Sequence, residues 1–256
     1  MLSGIRNTNN CKVFARNVIK EEAPFSCPKC LGELTLKKGR IKTHHFAHKP
    51  PFNCSRGQGE TDAHRKCKEE IYLSLSSRQN VSNLDMEVDF NTSIADVFCH
   101  IAGAPVAIEI QKSDLTVNEI TLRTQNYHVL GINVLWLALN NPKLSENRYS
   151  PKAWEKWCHA AYFGRVYYWI NGVIVLPVHF AEHRLEVVHS SWYNKDGEEQ
   201  SAGGYTKPSK RYRTPSFGPQ LDITQNFRPT RKDAWSGGTV FIPQCSLYVD
   251  QLQKWW

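Results

Sequence analysis

Four pieces of sequence decide the fold class: Glu60-Thr-Asp-Ala-His64-Arg-Lys-Cys-Lys68, Ile94-Ala-Asp96-Val97, Val106-Ala-Ile-Glu109-Ile-Gln111-Lys-Ser113 and Arg123-x-x-x-Tyr127. Asp96 and Glu109 sit at the ends of two apolar β-type runs separated by a turn around Ala102-Gly103-Ala104-Pro105. Strand side chains alternate with period two, so Val106 and Ile108 share one face while Ala107, Glu109 and Gln111 share the other. If the two runs pair as a hairpin, Asp96 and Glu109 converge on one divalent cation. That is the donor set a metal-dependent phosphodiesterase needs.

Working outward, Gly57-Gln58-Gly59 breaks the chain before a helical reading from Glu60 to about Ser77. Glu60, His64 and Lys68 fall at i, i+4 and i+8, on one helix face. Ala63, Cys67, Ile71 and Leu75 follow the same step on the adjoining apolar face. A solvated charged face shows the same spacing and is the commoner reading for a helix in general. Residues 81 to 90 read as a strand with Leu84, Met86, Val88 and Phe90 alternating against polar partners. Thr116 to Leu130 reads as a helix with Ile120, Arg123 and Tyr127 on neighbouring rows. The Arg123 fork suits a phosphate, and Tyr127 can hydrogen-bond or stack; a core tyrosine beside a surface arginine is the alternative. Ile132 to Leu139 is apolar on both faces, as a buried strand of a helix-covered sheet should be.

Ahead of this core, Lys12 to Ile19 reads as a strand, and Leu34-Thr-Leu36 and Ile41 as two more around a turn at Lys37-Lys-Gly39-Arg40. Cys27-Pro-Lys-Cys30 is half of a zinc knuckle, two thiolates that can bite one ion without strain. The second pair comes from His44, His45, His48 and Cys54; we take His48 and Cys54, with His45 as the alternate. Four closed ligands would make this Zn²⁺ structural. A redox Cys-x-x-Cys would need flanking βαβ units that are missing here. Exposed histidines with scattered cysteines remain the bland alternative.

Taken in order, Glu60-x-x-x-His64-x-x-x-Lys68, Asp96, Glu109-x-Gln111-x-Ser113 and Arg123-x-x-x-Tyr127 resemble the nuclease core of the competence protein CoiA family, over roughly residues 11 to 140. The His-Phe-Ala-His segment after Cys-Pro-x-Cys resembles the same family's N-terminal region. That family is similar to the PD-(D/E)xK nucleases. The resemblance implies an α/β, restriction-endonuclease-like fold, a mixed sheet flanked by helices. The expected division is a zinc-binding β module over 1–56, a nuclease core over 57–142 and an accessory region over 143–256. Asp96 and Glu109 would bind Mg²⁺ or Mn²⁺, with Glu60 as a further ligand or a partner of one, and the activity would be hydrolysis of DNA phosphodiester bonds. Arg123, Tyr127 and Ser113 would face the substrate.

Two departures from the family pattern matter. An arginine usual just before the aspartate is absent among Thr92, Ser93 and Ile94. Gln111 replaces the lysine of the parent Glu-x-Lys, although it matches the competence-type variant. A neutral amide can orient a water but lends no charge. Lys68 is therefore expected to supply the cation, and His64 to bind phosphate or help deprotonate water. The rival reading keeps the fold as a catalytically weak or inactive DNA-binding or DNA-processing factor.

The 256 residues allow one sizeable core plus a smaller module. A net charge of +8 suits a polyanion, here single- or double-stranded DNA. Eight cysteines are too unevenly spaced in too large a chain for a disulfide scaffold. No apolar run reaches the roughly 20 residues of a membrane span, and no signal-peptide core follows Met1, so a cytoplasmic protein is expected. Asn141 to Pro151 reads as a boundary, Trp154 to Phe163 as a short helix, and Arg165 to Val178 as a hairpin around Asn171-Gly172. From Gly203 to Lys232, cations including Lys210, Arg211 and Arg213 interleave with aromatics and four prolines, which predicts a basic loop. Such a loop suits a nucleic-acid backbone, or serves as a solvated linker. Self-association and membership of a larger nucleic-acid-processing complex both stay open.

Overall fold

In the computed structural model, which describes residues 1–51, 54, 56–57, 59–112, 115–237 and 240–256, the N-terminal segment folds as a small antiparallel sheet. Its strands are β1 (Ser3–Arg6), β2 (Cys11–Phe14), β3 (Phe25–Ser26), β4 (Glu33–Lys37) and β5 (His45–His48), in the order β2-β1-β3-β4-β5. Val13, Phe25, Leu34, Leu36 and Phe46 form its own apolar cluster. Gly4 belongs here because a Cβ would meet the Phe46 ring at 3.2 Å. The strand expected to reach Ile19 ends at Phe14, and none forms at Ile41, which is 95% exposed. The partners of β4 are β3, with Phe25 opposite Leu34, and β5, with Phe46 opposite Leu36.

The long helix α1 (Asp62–Ser76) starts at Thr61, whose hydroxyl accepts from the His64 N–H at 3.3 Å. Glu60 therefore precedes the helix rather than riding on it. Cys67, Ile71 and Leu75 are buried, whereas Ala63 is exposed. Next, β6 (Val81–Asp89), β7 (Ile94–Ile101) and β8 (Ala104–Gln111) form an antiparallel meander. Helix α2 (Val117–Val129) opens on a capping box between Thr116 and Glu119 and returns the chain to β9 (Asn133–Leu139), parallel to β8. Helix α3 (Ala153–Ala161) repeats the crossover into β10 (Val166–Asn171), parallel to β9. Residues 133–138 of β9 are all buried, as the apolar reading requires.

The sheet does not stop near residue 142. At Asn171-Gly172 the chain turns into β11 (Ile174–Val187), continues through the exposed hairpin β12 (Ser190–Tyr193) and β13 (Glu199–Ala202), and returns as β14 (Tyr205–Phe217) along β11. After β15 (Leu221–Asp222) on β11, β16 (Phe227–Lys232) pairs with β19 (Cys245–Asp250), which meets β9. Between them β17 (Trp235–Gly237) and β18 (Val240–Ile242) make a short hairpin. The main path is β14-β11-β10-β9-β8-β7-β6, and one apolar core joins Leu75, Val97 and Trp136 to Tyr167, Val175 and Leu247. The stretch 203–232, expected as loop, is mostly strand. As an edge strand, β14 accommodates Pro208, Pro215 and its exposed cations on the unpaired side.

On α3, His159 Nε2 accepts the Phe180 N–H at 3.1 Å and lies 3.0 Å from His179 Nδ1. Burial, with His179 and Arg213 nearby, lowers the His159 pKa to about 4. A histidine depressed in the folded state favours folding above its unfolded pKa, near 6.5, and that contribution is lost as pH falls towards 4. The thermal midpoint of the wild type should therefore fall more steeply between pH 6.5 and pH 4 than that of His159→Gln. Parallel curves for the two proteins would refute the assignment.

Candidate active site

The β7–β8 hairpin positions the two carboxylates. The paired register ends at Val97 opposite Ile108, and Asp96 and Glu109 are the next residue on each strand. Asp96 Oδ2 accepts the Ile110 N–H at 2.9 Å and lies 3.0 Å from His64 Nε2, in the first turn of α1. Burial alone would raise the Asp96 pKa, but His64, Lys68 and the Ile110 amide outweigh it and hold it at about 2. For His64, burial opposes the charged ring, yet the Asp96 carboxylate prevails and raises the pKa above its usual value. His64 thus suits a donor of charge or of a proton better than the base expected from sequence.

One turn further along α1, Lys68 is only 3% exposed. Its ammonium pairs with Glu60, with Glu87 Oε1 at 2.7 Å, and reaches Asp96 Oδ1 at 3.7 Å. Burial works against that charge, but Glu87, Asp96 and Glu60 together raise the pKa and keep Lys68 an ammonium. So the helix does bring a cation to Asp96.

Glu87 is the member that sequence reasoning missed. Strict alternation with Met86 and Val88 would turn it away from the core. A register shift between Ser82 and Asp85 and a left-handed φ of +53° at Glu87 itself break the alternation, and the side chain is buried. Its carboxylate accepts the Leu2 N–H at 2.7 Å, the Ser3 N–H at 3.0 Å and the Ser3 hydroxyl at 2.6 Å, besides Lys68. Arg56 donates to the Glu87 carbonyl at 3.0 Å. The Met1 nitrogen lies 2.8 Å from Glu60 Oε2, so both acids bind β1 and its approach to the Lys68 cluster.

Glu109, 1% exposed, is held differently. The Tyr127 hydroxyl donates to Oε1 at 2.5 Å, and Arg123 lies 2.5 Å from Oε2. Burial is the largest influence and lifts the Glu109 pKa to about 7, against the pull of Arg123 and with a further push from Asp96. Fully buried, Tyr127 has no face to offer a base. Arg123 neutralises Glu109 and lies 5.0 Å over the Trp136 ring rather than standing ready as a phosphate clamp. Gln111 is buried two residues beyond Glu109 on the same strand, and Ser113 lies outside the described residues. Lys210 and Arg211 are exposed where the β11–β14 register shifts, and Arg213 donates to the Ser209 and Tyr212 carbonyls. With β11, β10 and β9 between β14 and β8 in the sheet, the structure does not gather these three with the carboxylates.

Asp96 and Glu109 are hard oxygen donors on adjacent strands, the chemistry a Mg²⁺ or Mn²⁺ ion selects. Among the described residues, buried Glu109 Oε2 faces Arg123 alone, so an ion binding there would share that oxygen with the guanidinium. By donor chemistry, carboxylate oxygens of this kind suit such an ion. In the N-terminal sheet, ligand atoms of Cys27, Cys30, His48 and Cys54 all lie within 4.8 Å of one another. Three thiols and one imidazole are compatible with structural zinc. His45, the alternate, instead sets Nδ1 2.9 Å from the Thr43 carbonyl.

Against known families, residues 9–56 match the competence protein CoiA N-terminal domain and residues 60–165 match the competence protein CoiA nuclease-like domain. The chain belongs to the CoiA family. Competence protein CoiA of Bacillus subtilis (strain 168) is 29% identical over 114 residues, 44% of this chain and 31% of that relative. The match therefore spans under a third of the relative's length. No solved structure matches the chain. The first CoiA segment contains the Cys27, Cys30, His48 and Cys54 cluster, and the second contains Glu60, Lys68, Glu87, Asp96 and Glu109.

Removing Glu87 would strand the Lys68 charge and the amides of Leu2 and Ser3. Glu87→Ala should destabilise the protein by about 3–5 kcal/mol in urea unfolding, the usual penalty for breaking a buried ion pair. Glu87→Gln, which keeps an acceptor, should cost less. An alanine variant as stable as the wild type would show that the cluster does not fasten β1.

Proposed function

We propose that the chain is a Mg²⁺- or Mn²⁺-dependent nuclease acting on DNA phosphodiester bonds, with a zinc-stabilised N-terminal module. What supports this reading is that Asp96 accepts the Ile110 N–H, on the residue after Glu109, with Lys68 and His64 set against it. The nuclease-like domain match and the net charge of +8 support a nucleic-acid substrate. Asp96 and Glu109 would hold the ion. Once bound, such an ion lowers the pKa of a water and neutralises phosphate charge.

The chain's own residues divide the remaining work. The Ile110 amide fixes Asp96, while Tyr127 and Arg123 fix Glu109. Lys68 keeps a permanent positive charge beside Asp96, the charge the parent nucleases carry on a strand lysine. Gln111 offers an amide to orient a water, and His64 can release its proton to the departing oxygen. Lys210, Arg211 and Arg213 would add backbone contacts from β14. A second reading, a DNA-binding factor without cleavage, is favoured by Gln111 and by the fact that Lys68 and Arg123 are already paired with carboxylates.

Cleavage of single- and double-stranded DNA with Mg²⁺, Mn²⁺ or EDTA separates the two. Asp96→Ala and Glu109→Ala should abolish cleavage while leaving the circular dichroism unchanged. Lys68→Ala should lose about 10²- to 10³-fold, as deletion of one charge-stabilising donor does, and Gln111→Lys should restore part of it. Full activity in Asp96→Ala sinks the nuclease reading. A wild type that binds DNA yet leaves it intact with either ion selects the second.

The zinc assignment has its own test. Cys27→Ser should release about one Zn²⁺ per chain and lower the thermal midpoint, because metal affinity contributes directly to folding. Freshly purified protein without zinc would overturn it.

A further inference from the structure

A groove of about 810 Å³ opens on the N-terminal sheet, lined by β4, by the loop from Lys38 to Thr43, and by Lys20 and Ala23. Among its lining residues the one acid, Glu33, is paired with Lys49. Lys38 is also committed, donating to the Val18 carbonyl at 2.7 Å and the Arg16 carbonyl at 3.3 Å. Lys20, Lys37, Arg40 and Lys42 remain, all exposed and without a salt bridge to any described residue. Between the last two, Ile41 is 95% exposed, beside a floor that includes Leu34 and Leu36.

Folding explains neither feature. Four unpaired like charges on so small a module repel one another, and an isoleucine side chain left in water gains nothing from burial. A ligand with regularly spaced anions and an apolar face would use both. Single-stranded DNA has that chemistry, with phosphates for the rim and exposed base faces for Ile41. A duplex hides its bases and would leave the apolar part unused. The Thr43 N–H donates to Asp62 Oδ1 at 3.0 Å, which anchors the groove's loop to the start of α1, two residues before His64.

We propose that this groove binds one DNA strand and leads it toward His64 and Asp96; the second half rests on the nuclease reading, the first does not. The test uses the full chain, a fluorescent oligothymidylate and anisotropy across a salt series, without added divalent ion. Combined Lys20→Ala, Lys37→Ala, Arg40→Ala and Lys42→Ala should weaken binding at least tenfold. The log–log salt slope should become shallower by about 0.7 for each phosphate no longer neutralised, so by up to about 2.8. Ile41→Ser should weaken binding while leaving the slope unchanged, because it removes no charge. Unlabelled duplex of equal phosphate concentration should compete less well than single strand. An unaltered affinity and slope in the fourfold variant overturn the groove, and equal competition by duplex overturns the single-strand assignment. Cleavage is scored separately. A wild type that cannot cleave but loses binding in the fourfold variant keeps the groove and removes the nuclease.

Discussion

The Lys68 ammonium is the constraint on which the rest of this structure depends. It lies out of water among Glu60, Glu87 and Asp96. Burying each of these ions costs several kcal/mol of lost hydration, a cost that only close pairing offsets. The three acids come from three places: the residue before the α1 cap, the bulged strand β6 and the hairpin strand β7. Glu87 then reaches across to the Leu2 and Ser3 amides. One cation therefore fastens helix, sheet and N-terminal module, and the groups that stabilise the fold are those that shape the candidate site.

The neighbouring carboxylates show how unequal such compensation can be. Asp96 has an imidazole, a backbone amide and the flank of Lys68, and its pKa falls to about 2. Glu109, more deeply enclosed, has Arg123 and Tyr127, and its pKa rises to about 7. Like charges on adjacent strands cannot both be ionised cheaply without positive charge between them. Arg123 supplies part of that charge from α2.

Much of this could be read from the sequence, and the failures have definite causes. The helix from Thr116 and the hairpin at Asn171-Gly172 were legible because turns are local chemistry, whereas the first helix was begun at Glu60 although Thr61 caps it. The β7–β8 hairpin around Ala102-Gly103 followed from two apolar runs separated by a glycine turn. Glu87 was hidden because one left-handed residue in a bulged strand cancels that alternation. The burial of Tyr127 depends on what the sheet presents to α2, which no helical spacing reveals. The C-terminal strands were obscured by composition. Pairing Lys232 with Cys245 and Leu247 with Val134 is non-local, while charges and prolines that resemble a loop are also what an edge strand such as β14 tolerates.

The neutral residue at position 111 is intelligible in the same electrostatic terms. Gln111 is buried on the strand that carries Glu109. A lysine there would bring a further ammonium out of water, beside a cluster in which Lys68 already answers three carboxylates and Arg123 answers the fourth. An amide can be buried with its hydrogen bonds satisfied and no ionic charge to desolvate. Glutamine on the strand and lysine on the helix are then one arrangement: the positive charge reaches the site from α1, where Glu60 and Glu87 hold it in place, and the strand keeps a group that can orient a water without competing for those acids.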